Sequence, residues 1–170
     1  MASVWKKWVC ASLIVVVLGC GYRFAGSGEL PAGVQSVSLA GLDNRTAETG
    51  LESIVNNDII YELTRNGKIF TGESARADAY LSGVIRSIRT RSISRRSTLT
   101  AQERRVTMTV SLQLADPVGK LLWQSDNMIE NEEYVVLPDK AATEQNKKAA
   151  IKLLSKRLAE RIYYRLTDNF

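Results

Sequence analysis

Arg105-Val106-Thr107-Met108-Thr109-Val110-Ser111-Leu112-Gln113-Leu114 carries an apolar side chain at every even position and a polar one at every odd position. Successive side chains of a strand point to opposite faces, so this run predicts a strand with one face buried and one face wet. A sheet made of such strands is covered on a single side. The rest of the chain has to supply that cover.

Working outward, Asp116-Pro117-Val118-Gly119 reads as a reverse turn, with proline fixing φ at the second position and glycine closing it. Leu121 to Val136, which contains Trp123, returns as a long strand, and Pro138-Asp139 ends it. On the N-terminal side, Ala79 to Ile93 is rich in β-formers but alternates imperfectly. Gly83 and the shift from Val84-Ile85 to Ile88 predict a bulge or a sharp twist. Earlier still, Val34 to Leu39, preceded by Pro31 and Gly33, predicts a first strand followed by a linker of turn residues.

Two segments change period from 2 to 3.6. Leu51, Val55, Ile59 and Leu63 recur every fourth residue. Thr49-Gly50-Leu51-Glu52 before them predicts a capping box, and Asn66-Gly67 after them a left-handed stop. Ile151, Leu154, Leu158, Ile162 and Leu166 form a second apolar stripe, with Lys147, Lys148, Lys152, Lys156, Arg157, Arg161 and Arg165 mostly off it. The expected fold class is therefore α+β, in the order β-α-β-β-β-α. Two helices pack on one face of a four-stranded mixed sheet, a two-layer sandwich, and the first connection is a crossover if its strands are parallel neighbours.

The chain begins with Lys6 and Lys7, an apolar stretch from Trp8 to Leu18, and Gly19-Cys20. The stretch is too short to span a bilayer, which takes roughly 20 apolar residues, and has the size of a signal h-region. A cysteine behind a small residue at its end predicts a lipoprotein signal: residues 1–19 removed, Cys20 lipidated, 20–33 a tether, and 34–170 a single domain. Two or three acyl chains anchor stably where one binds only reversibly. Gly21, where Asp would resemble an inner-membrane retention signal, predicts the periplasmic leaflet of the outer membrane.

Composition narrows the chemistry. The chain has no histidine, and of its two cysteines Cys10 leaves with the signal while Cys20 is acylated. The commonest general base, the usual zinc ligands and the thiol nucleophile are thereby excluded. No cofactor or metal is expected. Glu130, Glu132 and Glu133, with Glu48 and Glu52, read as solvated or capping, and an enzyme is not expected.

The charge is uneven. Arg86, Arg89, Arg91, Arg95, Arg96, Arg104 and Arg105 are opposed only by Glu103, a local +6; the 23 basic residues less Lys6 and Lys7 leave 21 against 18 acidic, a net +3. All of the excess sits in this one hairpin. Arginine's planar fork matches phosphate and carboxylate bidentately, and Ser92, Ser94, Ser97, Thr98 and Thr100 interleave as hydroxyl donors. The alternative is a hairpin made soluble by charge. Nucleic acid is not the expected partner, because the signal exports the chain and no aromatic residue interleaves the arginines.

Cys20-Gly21-Tyr22-Arg23-Phe24, the segment Leu42-Asp43-Asn44-Arg45-Thr46-Ala47-Glu48-Thr49-Gly50-Leu51-Glu52, and the element order together make the mature chain resemble the LptE family of lipopolysaccharide-assembly lipoproteins. The resemblance implies two helices on a four-stranded sheet and a non-enzymatic subunit of the outer-membrane lipopolysaccharide translocon. Such a subunit plugs the LptD β-barrel one to one, helps it assemble, and contacts lipopolysaccharide as it enters the outer leaflet. The seven arginines are then candidates for lipid A or core phosphates, or for acidic residues of the barrel lumen. A free-standing envelope lipoprotein acting as an anionic-ligand binding or scaffold module is the alternative.

Overall fold

The computed structural model describes residues 30–67, 69–70, 77–93 and 102–168. The elements are β1 Ser36–Asn44, α1 Leu51–Arg65, β2 Ile69–Phe70, β3 Ala79–Ile93, β4 Gln102–Ala115, β5 Leu121–Val136 and α2 Lys140–Thr167. The sheet order is β2-β1-β3-β4-β5. β1 is parallel to both neighbours, whereas β3, β4 and β5 form an antiparallel meander. The four long strands and two helices are those expected from sequence. The addition is β2, which pairs only with Ser36 and Val37.

The alternation of β4 is realised in full. Val106, Met108, Val110, Leu112 and Leu114 are all buried beneath the helices, and the odd residues face away. Leu51, Val55, Ile59 and Leu63 of α1, with Ile151, Leu154, Leu158, Ile162 and Leu166 of α2, complete one core with Leu81, Ile85 and Met128. Leu30, in the stretch read as tether, is 2% exposed and belongs to this core.

β1 begins two residues later than expected and continues to Asn44. Its extension is held by its parallel ladder with β3, which runs to Asn44 opposite Ile85 after a register shift between Leu39 and Gly41. The capping box does not form. Gly50, at φ 79°, occupies the N-cap position of α1 with no side-chain cap, so Thr49 lies one residue too early. Glu52 instead accepts from Asn44 Nδ2 at 2.8 Å. The stop is as expected, with Gly67 at φ 68°.

In β3 the predicted irregularity is a bulge at Arg86, where the register with β4 shifts between Ile85 and Ser87. Gly83 answers a different need. A Cβ there would lie 2.5 Å from the carbonyl oxygen of Ser111 and 2.7 Å from Leu112 Cδ2, so β4 passes too close for any side chain.

α2 begins at Asp139, whose carboxylate accepts from the amides of Ala141 and Ala142. It crosses β5 through polar contacts as well as apolar ones. Arg161 donates to the Ile129 carbonyl at 2.7 Å, and Asn146 to the Val135 carbonyl at 2.9 Å. On the other side, Asn56 of α1 accepts from the Leu42 amide at 3.1 Å. Helix side chains thus occupy backbone groups of strands that would otherwise invite pairing by another chain.

Candidate functional site

The bulge at Arg86 decides what the open face of the sheet carries. Ile85 pairs with Val110 and Ile88 with Met108, all on the helix-bearing side, so one inserted residue reverses the parity of β3. Without it, Arg89 and Arg91 would point beneath the helices. With it, they stand exposed on the open face, Arg89 opposite Thr107 and Arg91 opposite Arg105.

The structure therefore divides the seven arginines. Arg89, Arg91 and Arg105 come together near the hairpin end of the open face. Arg86 is lower on that face, its Nε donating to Ser111 Oγ, at the rim of a shallow recess of about 370 Å³ lined also by Asp43, Ser82, Gln113 and Asp126. Arg104 shares the parity of Val106 and Tyr134 and so lies on the helix-bearing side, half-buried. Arg95, Arg96 and Cys20 lie outside the described residues.

Arg91 and Arg105 are a like-charge pair directly across an antiparallel ladder, an arrangement that destabilises a sheet by about 0.2–1 kcal/mol unless something anionic compensates. Glu133 on β5 meets Arg105 at 2.7 Å. Among the described residues, no carboxylate lies within ion-pair distance of Arg89 or Arg91. The same end of the open face also carries Glu103, between Ile93 and Val135, and Glu133; the guanidinium forks of Arg89 and Arg91 offer a planar, bidentate match to an oxyanion partner.

The glutamates read as solvated or capping have structural partners. Glu130 pairs with Arg161 at 2.9 Å and Glu132 with Arg157, tying β5 to α2. Glu48 pairs with Lys147 at 2.7 Å, a contact that raises the lysine's pKa above its ordinary value. Sequence reasoning also missed Asn44 as a hub. Its amide donates to the Glu48 carbonyl and to Glu52, while its oxygen accepts from the Thr46 amide and hydroxyl. The Asn44-Arg45-Thr46 motif is thus the knot of the β1–α1 connection. Among the described residues, no group of three or more His, Cys, Asp or Glu could hold a metal ion, and no helix is long and apolar enough to cross a membrane.

Fold and face together define a class: a small two-layer α+β sandwich whose uncovered sheet presents a cationic patch. Solved lipoproteins share the fold. The lipoprotein B of Nitrosomonas europaea has a TM-score of 0.59 at 13% identity, over 86% of this chain and 90% of that one. The Acinetobacter baumannii minor lipoprotein gives 0.54 at 16%, over 79% and 91%. The rare lipoprotein B of Shewanella oneidensis gives 0.53 at 16%, over 75% and 92%. No curated protein matches the sequence. The sequence does match the family described as LptE, lipopolysaccharide-assembly, over residues 34–166, and the chain belongs to that family.

Proposed function

We propose that this protein is the lipoprotein subunit of the outer-membrane lipopolysaccharide translocon. Residues 1–19 are removed, Cys20 carries the lipid anchor in the periplasmic leaflet, and the residues between Cys20 and Leu30 tether a non-catalytic domain that plugs the LptD β-barrel and helps it assemble. Lipopolysaccharide phosphates are taken by Arg89, Arg91 and Arg105, with Arg86, Arg95, Arg96 and Arg104 as the remaining arginines of the hairpin. One observation carries the ligand reading: Arg91 is placed directly opposite Arg105, with Arg89 beside it on the same bare face. Glu133 offsets Arg105, so the ligand reading rests on Arg89 and Arg91.

The test uses the purified protein and lipopolysaccharide. Binding should weaken several-fold as salt rises from 0.1 to 1 M, where the Debye length falls from about 10 to about 3 Å, and dephosphorylated glycolipid should bind worse. Arg89→Glu with Arg91→Glu should abolish most binding, whereas Lys148→Glu with Lys152→Glu, the same charge change on exposed turns of α2, should spare it. Equal losses would show that only net charge matters. A pull-down from detergent extract tests the plug. It should recover one large β-barrel in equal amount, and recovery of none would favour the free-standing envelope module.

A further inference from the structure

Two irregularities flank Ser111 of β4. On one side is the bulge at Arg86 of β3, and on the other Asp126 and Asn127 of β5 are inserted between Ser125, which pairs with Leu112, and Met128, which pairs with Val110. The Ser111 hydroxyl accepts from Arg86 Nε and from the Asn127 amide. Ser111 is only 8% exposed, and its own O–H has no acceptor among the described residues. Bulges re-aim side chains beside functional sites, and a buried donor without a partner calls for one, from water or from a ligand.

The recess at these bulges holds about 370 Å³, enough for a small ligand. It crosses four strands. Asp43 on β1 is opposite Val84, Val84 is opposite Ser111, and Ser111 faces the β5 bulge that carries Asp126. At ~4.8 Å per strand, the backbones of the two aspartates stand roughly 14 Å apart. Among the described residues neither carboxylate accepts a hydrogen bond or meets a cation. Arg86, between them, is fixed through Nε, which leaves the edge formed by its two terminal nitrogens free. One row further along, Ser82, Gln113 and Gln124 stand side by side. The lining has no aromatic ring and few apolar side chains.

That lining selects its occupant. Protein interfaces centre on aromatic and apolar side chains and are poor in aspartate, and sites for drug-like molecules are mostly apolar. A phosphate on Arg86 would sit between two uncompensated carboxylates. Neutral hydroxyls suit every group present: carboxylates accept from them, the amides of Gln113 and Gln124 donate and accept, and the Arg86 edge and the Ser111 O–H donate. We propose that the recess is a saccharide subsite, which takes uncharged sugar rings of the same glycolipid whose phosphates meet Arg89, Arg91 and Arg105, and which rests on that reading for the identity of the glycan. Both places lie on one face. Arg105 and Ser111 are six residues apart on β4, about 20 Å, with the hydroxyls of Thr107 and Thr109 between them.

The full chain is titrated with two lipopolysaccharides that carry the same lipid A phosphates, one with its neutral outer sugars and one truncated before them. The wild type should bind the longer form several-fold more tightly. Asp43→Ala with Asp126→Ala, both at exposed positions, should erase that preference while the truncated form binds at least as well as before, because two negative charges are gone. A preference that survives in this variant, or that the wild type never shows, overturns the subsite. The core oligosaccharide, released from lipid and dephosphorylated, should shift the side-chain amide resonances of Gln113 and Gln124 and leave that of Asn146 on α2 in place; no shift at the two glutamines also overturns it. Arg89→Glu with Arg91→Glu keeps the two readings apart: unchanged affinity for both lipopolysaccharides, with the sugar preference intact, sinks the phosphate contact and leaves the subsite standing.

Discussion

Gly83 and Arg86, three residues apart on β3, show how single positions shape the open face. Gly83 lets the Ser111 carbonyl and the Leu112 side chain come within 2.5 and 2.7 Å of where a Cβ would stand. Gly83→Ala should therefore force the β3–β4 ladder apart and lower stability by about 1–3 kcal/mol, read as a shift in the denaturant midpoint at unchanged slope. An unaltered midpoint would mean that the ladder yields without cost. Arg86 contributes differently. Its guanidinium holds Ser111, whose hydroxyl also accepts from the Asn127 amide at 3.4 Å, so one arginine links the irregular positions of β3 and β5. Asn127 itself has φ 53°, in the left-handed region that asparagine tolerates better than most residues.

At the level of elements, bulges and helix side chains decide more than propensity does. The Arg86 bulge turns Ile88 into the core and Arg89 and Arg91 out of it. Deleting Arg86 removes only the unpaired residue and leaves Ser87 opposite Thr109 and Ile88 opposite Met108, so the variant should keep its fold. An alanine inserted between Ser87 and Ile88 should instead reverse everything beyond it, with Ile88 exposed and Arg89 and Arg91 driven beneath the helices; unpaired charges there are ruinous, so that variant should lose several kcal/mol and unfold at a much lower temperature. An insertion variant of wild-type stability would show that the register is set from the hairpin end instead. α2 has an analogous double role. Its apolar stripe fills the core, while Asn146, Arg157 and Arg161 reach β5 and bind a carbonyl, a carboxylate, and one of each. An edge strand of 16 residues thus has two of its carbonyls, at Ile129 and Val135, occupied by helix side chains.

For the whole molecule, the start of β1, held by Asp78, and the Arg89, Arg91 and Arg105 group lie at opposite ends of one sheet. Cys20→Ala should leave the precursor unprocessed and without labelled fatty acid, yet the domain should fold as before, because among the described residues the packed core begins at Leu30; a mature, acylated product from that variant would defeat the lipoprotein reading. Much of this architecture was legible in the chain. The period-2 run of β4 and the period-3.6 stripes of α1 and α2 determined the layers, since burial of a one-sided element requires a partner of the same kind. The Asp116–Gly119 turn and the Asp139 cap are local chemistry, readable from a few residues. The reach of β1, the strand β2 and the failure of the capping box depended on distant partners: Ile85, the parallel ladder and Asn44. The arginine patch is divided in the same way. Sequence determined that seven arginines lie in one hairpin, but only the tertiary structure decided that Arg89, Arg91 and Arg105 share the open face while Arg104 does not. The physical reason is that one inserted residue exchanges the two sides of a strand, and whether it is accommodated at Gly83, Arg86 or Ile88 is settled by the neighbouring strand's register and by which side chains the helices above can bury.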